Sequence, residues 1–454
     1  MDTGDTAWML ASSALVLLMT PGLAFFYGGM VRSKSVLNMM MMSMSAMGVV
    51  AVLWVLYGYS VAFGNDIGLG LLGNPADYAG LKGLFGGTYL ASEGSQVLIP
   101  LVGTIPSTVF VAFQAMFAII TVALISGATA DRLRFGPWLA FIAIWATVVY
   151  FPVAHWVFSF DEVSAAVGGW IANDLKAIDF AGGTAVHINA GAAGLALCLV
   201  LGRRRGWPRE AMRPHNLPFV MLGAGLLWFG WFGFNAGSAV GANGVAGLAF
   251  VNTLVATAAA MLGWLLVERI RDGRPTSLGG ASGVVAGLVA ITPSCSSVSP
   301  VGAIAVGAIS GAVCALAVSL KFRFRFDDSL DVVAVHLVGG LVGTLLIGFL
   351  ATSAAPAGVD GLLYGGGAGQ LGRQAVAAGA VLTYSFVLTL IIAMVLKYTI
   401  GLRVDNDAEL TGIDETEHAE AGYELSTIFS SSGNSRAAQE VSSGKVPAQA
   451  GQEG

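Results

Sequence analysis

Two stretches of the chain place an aspartate eight residues before a histidine in otherwise apolar sequence. The first joins Asp179 to His187, and the second joins Asp328 to His336. Ionisable groups are rare inside membranes, and a histidine there can accept or pass on a proton. On a helix, this spacing is about two turns, which predicts each acid near the end of its segment and each histidine ~12 Å deeper on roughly the same face. The repeated pattern therefore predicts two histidines inside a membrane.

The composition predicts a polytopic membrane protein. Of the 454 residues, 56% are hydrophobic and only 11% are charged, whereas about 25% charge is usual for soluble domains. The 62 glycines favour closely packed transmembrane helices, because small residues let helix backbones approach. The three cysteines have no spacing typical of a disulfide framework or a zinc site. We expect neither a cofactor nor a metal.

Eleven apolar stretches are long enough to cross ~30 Å of hydrocarbon. They lie near residues 7–31, 37–63, 104–129, 136–158, 181–201, 217–239, 245–268, 278–293, 299–320, 331–353 and 371–401. Lysines and arginines follow the odd-numbered spans, whereas the opposite loops hold only Lys82, Lys176 and Arg373. The positive-inside rule then predicts an outer N-terminus and a cytoplasmic C-terminus.

The two aspartate and histidine stretches fall on spans five and ten, which enter the membrane from opposite sides. Two five-helix halves of opposite topology, about residues 1–201 and 217–353, would bring His187 and His336 together near the bilayer midplane, where repeat-built transporters hold their substrates. The predicted fold is an all-α polytopic membrane protein with eleven transmembrane helices, arranged as two five-helix inverted repeats plus an added eleventh helix at about 371–401.

Aromatic residues near the predicted outer surface could replace the water around a cation. Span three carries Phe113 and Phe117 one turn apart, and the segment 231–238 of span six contains three more rings before it ends at Ser238. Aromatic residues at helical spacing usually only pack against neighbours. Here the glycines between them leave room, and the Ser238 hydroxyl adds a polar acceptor, which favours a cation site.

Several motifs resemble those of the ammonium transporter (Amt/Rh) family, in its prokaryotic Amt type. They are Phe26-Tyr27-Gly28-Gly29-Met30-Val31-Arg32, Val111-Ala112-Phe113-Gln114, Asp179-Phe180-Ala181-Gly182-Gly183 with His187-Ile188-Asn189, Pro214-His215-Asn216-Leu217-Pro218, and Gly230-Trp231-Phe232-Gly233-Phe234-Asn235-Ala236-Gly237-Ser238. The resemblance extends from the first span to the tail. It implies a multi-pass protein of the cell membrane, with eleven helices over residues 1–402, that forms a homotrimer with one pore in each subunit.

The resemblance also implies roles for individual residues. It assigns ammonium recruitment to Phe117, Ser238, Phe158 and Asp179, a stacked gate to Phe113 and Phe234, and the pore to His187, His336 and Trp231. An ammonium ion over ring faces gains ~1 to 2 kcal/mol when partly desolvated, and an apolar pore below penalises the charged form. The implied function is a transporter that recruits ammonium, deprotonates it and conducts ammonia, with or without the proton.

Two of these positions have a second interpretation. The family usually carries a tryptophan where this chain has Phe158, so Trp156 or Trp170 is an alternative recruitment ring. Asp179 stands at the predicted start of span five, where a carboxylate caps a helix by accepting bonds from backbone N–H groups. A cap and an attractive field can coexist in one carboxylate.

The C-terminal part of the chain is acidic and polar. The segment 403–425 is similar to the family's regulatory tail, which packs beneath the pore and meets a PII-type signal protein. Residues 426–454 are rich in Ser, Gly, Ala and Gln and cannot form a core, so we expect disorder there.

Other protein classes fit the sequence less well. A membrane metalloenzyme would need three or more ligands, and the five histidines show no HExxH-like pairing, so we expect no enzyme. A sodium-coupled amino-acid transporter would need unwound helices with exposed carbonyls and a site for the substrate carboxylate. Nothing in this sequence is specific for such a site. We expect the lipid bilayer and ammonium as partners and no nucleic acid. The alternative function is an ammonium sensor or receptor that signals through the cytoplasmic tail.

Overall fold

A bundle of apolar helices forms the protein, whose computed structural model describes residues 1–86, 88–90, 96–210 and 212–423. In chain order these helices are α1 (Thr3–Met30), α2 (Ser33–Phe63), α3 (Ser107–Thr129), α4 (Phe135–Phe158), α5 (Gly183–Leu201), α6 (Leu217–Gly237), α7 (Gly244–Arg271), α8 (Ser277–Ile291), α9 (Pro300–Phe324), α10 (Val333–Leu350) and α11 (Gly369–Thr399). They confirm an all-α polytopic membrane fold.

The number of membrane crossings rests on α8. Ten of the described helices are long and apolar enough to cross a membrane, whereas α8 is a shorter apolar helix of 15 residues. At 1.5 Å per residue it is about 22 Å long, less than the ~30 Å of the hydrocarbon core. The eleventh crossing, expected near residues 278–293, therefore stays a prediction.

The connections between helices carry little regular structure. The segment before α3 holds two antiparallel pairs, β1 (Thr88–Leu90) with β2 (Gln96–Leu98), and β3 (Leu101–Val102) with β4 (Ile105–Pro106). Single turns occur at Ala79–Leu81, Ile171–Leu175 and Leu362–Tyr364. Two short helices, α12 (Asn406–Thr411) and α13 (Ile413–His418), lie in the tail.

Polar side chains just before the apolar runs fix where several helices begin. Asp2, Asn216, Asn243, Thr276 and Ser299 each accept a hydrogen bond from a backbone N–H in the first turn of α1, α6, α7, α8 and α9, respectively. Such caps satisfy donors that have no partner within the helix. The polar residues before these apolar stretches therefore set where the five helices begin.

The centre of the bundle is formed by α5 and α10, which contact each other. Around them α1 packs along α6, α7 packs against α8 and α9, and α5 also packs against α11. Of the helices long enough to cross a membrane, α5 buries the largest share of its residues. The side chains of α5 are thus the best shielded from the surroundings.

The prediction that each aspartate shares a regular helix with its histidine is wrong. Asp179 precedes the start of α5 at Gly183, and between them Gly182 has a φ of 120°, which L side chains rarely adopt. Asp328 likewise precedes the start of α10 at Val333. Both helices open with a π-helical segment, Gly183–Ile188 and Val333–Val338. Each acid therefore stands in front of its helix, and the two-turn estimate does not apply.

The tail after α11 folds back against the face of the bundle where α2 and α4 begin. The Val404 N–H donates to the Arg132 carbonyl at 3.0 Å, and the Asp414 carboxylate accepts from the N–H groups of Leu37 and Asn38 at 3.0 and 2.8 Å. Glu417 accepts from the Phe135 N–H at 3.0 Å. The described tail residues thus cap helices of the bundle, and the predicted disorder of 426–454 lies outside the described residues.

Candidate transport pathway

A cavity of ≈ 340 Å³, here called the vestibule, lies at the face opposite the tail, which the sequence predicts to be the outer one. It is lined by Asp5, Val102, Gly103, Thr104, Phe110, Gln114, Phe117, Phe158, Phe160, Val163, Ser164, Phe180, Ser238, Ala239, Val240 and Asn243. Five of these are phenylalanines, and several others present hydroxyl, amide or carboxylate groups. Ring faces with a few polar acceptors suit a small organic or ammonium cation.

Three of the predicted recruitment residues line the vestibule. They are Phe117, Phe158 and Ser238. The Phe158 ring meets the Phe117 ring edge to face at 6.2 Å, and the Ser238 hydroxyl donates to the Phe234 carbonyl at 2.8 Å. With its proton given to that carbonyl, the Ser238 oxygen keeps lone pairs with which it can accept a bond from a cation.

The alternative recruitment rings lie elsewhere. Trp156 donates from its indole N–H to the Leu71 carbonyl at 2.8 Å, and its ring packs 5.9 Å from Trp170 and 4.7 Å from Tyr384. Neither tryptophan is among the described residues that line the vestibule. Of these three candidate rings, Phe158 is therefore the one that lines the vestibule.

The stacked pair below the vestibule differs from the predicted one. The ring that stacks on Phe234 belongs to Phe117, with centroids 4.1 Å apart and planes at 20°. Phe113 lies behind it, with its centroid 4.9 Å from that of Phe117 and its plane tilted by 59°. The predicted pairing of Phe113 with Phe234 is thus corrected. Helical spacing places both rings on one side of α3, but only the packing against α6 selects the one that faces Phe234.

The two histidines meet directly beneath these rings. Their Nδ1 atoms are 3.3 Å apart, and the imidazole rings stack with centroids at 5.4 Å and planes at 19°. Both residues are buried. One ring donates and the other accepts, so a single proton lies between the two Nδ1 atoms when both rings are neutral. Charging either ring in this apolar surrounding would cost several kcal/mol.

Trp231 joins the histidines to the phenylalanines. Its ring stacks on His187 with centroids 5.3 Å apart and planes at 16°, and it lies 5.2 Å from Phe234. The indole N–H donates to the Thr292 hydroxyl at 2.8 Å, which fixes the ring plane. A continuous series of rings thus leads from Phe117 in the vestibule to His336.

Asp179 holds the start of the first histidine helix. Its Oδ1 accepts from the N–H groups of Gly182 and Gly183 at 2.8 and 2.6 Å, and Oδ2 accepts from the N–H groups of Thr184 and Ala185 at 2.8 and 3.2 Å and from the Thr184 hydroxyl. Asp179 is not among the described residues that line the vestibule. Asp179 therefore caps α5, and the predicted effect of its charge on ammonium recruitment stays a prediction.

The opposite histidine helix has a similar start. The Oδ2 atom of Asp328 accepts from the Val333 N–H at 2.7 Å, while Oδ1 is buried without a hydrogen-bond partner among the described residues. The two acids thus occupy matching positions, but Asp179 is more fully hydrogen-bonded.

Two glycines let the histidine helices approach. A Cβ added at Gly191 would lie 2.4 Å from the Leu337 backbone nitrogen, and one added at Gly340 would lie 3.0 Å from the Ile188 side chain. Each glycine stands four residues after one histidine and faces the residue that follows the other. The contact between the imidazoles depends on this close packing.

Sequence reasoning missed most of the vestibule lining, including Asp5, Phe110, Gln114 and Phe180. An amide within an apolar span was an available signal for Gln114. Helical spacing was an available signal for Phe110, which stands about two turns before Phe117 on α3. Asp5 and Phe180 come from segments that only the folded bundle brings together. In the described ranges, no group of three or more His, Cys, Asp or Glu side chains could hold a metal ion.

A helical bundle around a buried, ring-lined path is an arrangement typical of membrane transport proteins, and comparison with known proteins gives the family. The model of the Ammonium Transporter Family matches residues 7–423. An ammonium transporter of Mycobacterium tuberculosis (strain H37Rv) is 70% identical over 440 residues, covering 95% of this chain and 92% of that protein. The chain belongs to the ammonium transporter family.

Solved structures agree with this assignment. The crystal structure of Saccharomyces cerevisiae Mep2 superimposes with a TM-score of 0.80 at 33% identity, covering 90% of this chain and 88% of that one. A structure described as a sensor Amt protein gives a TM-score of 0.82 at 29% identity, covering 91% of this chain and 98% of that one. The fold is thus shared by Mep2 and by a protein described as a sensor.

Proposed function

We propose that the protein takes up ammonium at the vestibule, removes its proton and conducts ammonia between the two histidines. The observation that carries this proposal is the unbroken series of rings from Phe117 through Phe234 and Trp231 to His187 and His336.

Capture takes place on the ring faces of the vestibule. An ammonium ion over Phe117 and Phe158 would gain ~0.5 to 2 kcal/mol from the rings, depending on how far it is desolvated. The Ser238 oxygen would accept one of its N–H groups. Phenylalanine is a weaker cation-binding face than tryptophan, so capture through position 158 is weaker than in relatives that carry tryptophan there.

The stacked pair separates capture from conduction. With a centroid distance of 4.1 Å, the rings of Phe117 and Phe234 leave no space between them. Rotation of these side chains would open the way for a small solute, whereas hydrated sodium would lose its water without compensation. The pair thus acts as a gate.

Conduction past the histidines is supported by an unpartnered polar atom. The Nε2 atom of His187 is buried and has no hydrogen-bond partner among the described residues. A buried polar group without a partner costs ~1 to 3 kcal/mol, and ammonia can either donate to it or accept from it. The site therefore favours a small neutral solute that forms hydrogen bonds, whereas an ion is penalised.

The inverted-repeat arrangement is part of the proposal. Each histidine helix has an aspartate before its first residue, a π-helical opening that carries the histidine, and a glycine four residues later that faces the other helix. Matching local features in two halves of the chain support an approximate two-fold relation.

We also propose that the protein forms a homotrimer in the cell membrane. Its N-terminus lies outside, and its cytoplasmic tail at residues 403–425 meets a PII-type signal protein. Ordered contacts of this tail with α2 and α4 support a regulatory role.

Methylammonium uptake by cells that lack their own ammonium transporters tests capture. We expect Ser238→Ala to raise the half-saturating concentration several-fold with little change in maximal rate, because it removes one acceptor in the vestibule. Ser353→Ala, at an exposed loop position, is the matched control and should behave like the parent. An unchanged half-saturating concentration in Ser238→Ala would contradict the assigned site.

A sensor is the second candidate, favoured by the likeness to the sensor Amt protein and by the ordered tail. A sensor would bind ammonium at the vestibule without sustained flux. Binding to the purified protein combined with an absence of uptake would support this alternative.

A further inference from the structure

We propose that Asp5 determines how strongly the vestibule attracts cations, through its negative charge. This inference rests on the proposed function and deepens it. Among the described residues that line the vestibule, Asp5 is the only one with a charged side chain. The cavity walls are otherwise phenylalanines, small apolar residues, hydroxyls and amides, which carry no net charge.

Neutral groups hold the Asp5 carboxylate in place. Its Oδ2 atom accepts from the Thr104 hydroxyl at 2.5 Å, and its Oδ1 atom accepts from the Ala242 N–H at 2.8 Å. None of the ion pairs between described residues includes Asp5. Hydrogen bonds to neutral donors favour the ionised carboxylate without cancelling its charge, so its field remains available to a cation in the cavity.

The position of Asp5 connects two sides of the vestibule. Thr104 lies in the turn between β3 and β4, and Ala242 lies in the turn between α6 and α7. Walls of low dielectric constant concentrate the field of a charge at the mouth of a cleft, which raises the local concentration of the oppositely charged solute. A carboxylate in this place is thus suited to collect ammonium before it reaches the rings.

Asp179 differs from Asp5 in position. It lies outside the lining of the vestibule, where it accepts bonds from four backbone N–H groups and a hydroxyl at the start of α5. Of these two carboxylates, only Asp5 faces a cation in the cavity directly. At about 7 Å in a water-like dielectric, one unit charge changes the local concentration of a monovalent cation about threefold.

Uptake of methylammonium by the full-length protein in liposomes, measured at low and high ionic strength, tests the inference. In Asp5→Asn the amide can still accept from the Ala242 N–H and pair with the Thr104 hydroxyl. Both hydrogen bonds are thus kept while the negative charge is lost. We expect the half-saturating concentration to rise about threefold at low salt, with the maximal rate unchanged. Asp5→Glu should keep a salt-dependent half-saturating concentration.

The matched control is Asp174→Asn, which removes the same charge from an exposed position that does not line the vestibule. It should keep the parental half-saturating concentration and its salt dependence. If Asp5→Asn also keeps both, the charge of Asp5 has no role and the inference is overturned. Asp5→Asn and Asp5→Glu could instead show an equal fall in maximal rate that does not depend on salt. That result would overturn the inference, because Asp5 would then only hold the turns that contain Thr104 and Ala242. If the parent protein itself shows no saturable uptake, the proposed function fails first and this inference fails with it.

Discussion

Replacement of Gly191 by alanine tests whether the close approach of the two histidine helices matters for function. A Cβ at this position would lie 2.4 Å from the backbone nitrogen of Leu337, 2.6 Å from its Cβ and 2.7 Å from its Cα. Leu337 directly follows His336. The added methyl group therefore meets the backbone that carries the second imidazole. Unlike a side chain, this backbone cannot rotate away.

The size of the effect follows from these distances. Ordinary van der Waals contact of a Cβ begins at 3.4 Å, so the Leu337 backbone would have to retreat by about 1 Å. The Nδ1 atoms of the histidines, now 3.3 Å apart, would then move out of hydrogen-bond range. Overpacking of this kind costs ~1 to 3 kcal/mol. We expect Gly191→Ala to lower thermal stability and to lose most of its transport.

Two other glycines provide graded controls. A Cβ at Gly340 would have its nearest atoms at 3.0 to 3.2 Å, and one at Gly225 would have no atom within 4 Å. Methylammonium uptake and thermal unfolding of the purified variants should therefore rank Gly191→Ala as most impaired, Gly340→Ala as intermediate and Gly225→Ala as parental. Parental uptake and stability in Gly191→Ala would refute the argument from helix spacing.

Three further substitutions test other parts of the site. Asp179→Asn places an NH₂ group against backbone N–H donors, so we expect thermal unfolding to show a free energy of unfolding that is lower by ~1 to 3 kcal/mol. A variant as stable as the parent and with normal uptake would contradict the assigned cap. Phe158→Trp offers a better ring face and should lower the half-saturating methylammonium concentration about two- to fivefold, and no change would remove that ring from the site. The Asp327 carboxylate lies 2.9 Å from the Arg204 guanidinium, and Arg204→Ala leaves it buried without this partner. Denaturation should show a free energy of unfolding that is lower by ~3 to 5 kcal/mol, whereas Arg203→Ala, at an exposed position, should change it little.

The sequence allowed prediction of the helices and of the histidine contact, because both depend on patterns that one chain displays. Apolar stretches of sufficient length predict membrane helices, and they match the described helices, apart from the short α8. The repeated spacing of Asp179 with His187 and Asp328 with His336 predicted that the histidines meet, and their Nδ1 atoms lie 3.3 Å apart.

Contacts between helices could not be predicted in the same detail. Phe113 and Phe117 lie one turn apart on the same side of α3, so the sequence does not distinguish them. Only the angle at which α3 meets α6 selects Phe117 as the partner of Phe234. The start of α5 depends on the unusual backbone of Gly182 and on the hydrogen bonds gathered by Asp179, which sequence spacing does not reveal.

The lining of the vestibule could not be predicted from the sequence for the same reason. Asp5 is far along the chain from Thr104 and Ala242, yet its carboxylate contacts both. Near the chain start it was an isolated acid without a motif, and only the folded bundle shows that it lines a cavity.

Ammonium uptake into liposomes that contain the purified protein is the most direct test of conduction along the ring-lined path. At acidic pH, where uncharged ammonia is scarce outside, we predict uptake that saturates with ammonium concentration and exceeds that of protein-free liposomes, with no corresponding uptake of sodium. Uptake no faster than in protein-free liposomes by folded, reconstituted protein, or equal uptake of sodium, would contradict the proposed transport function.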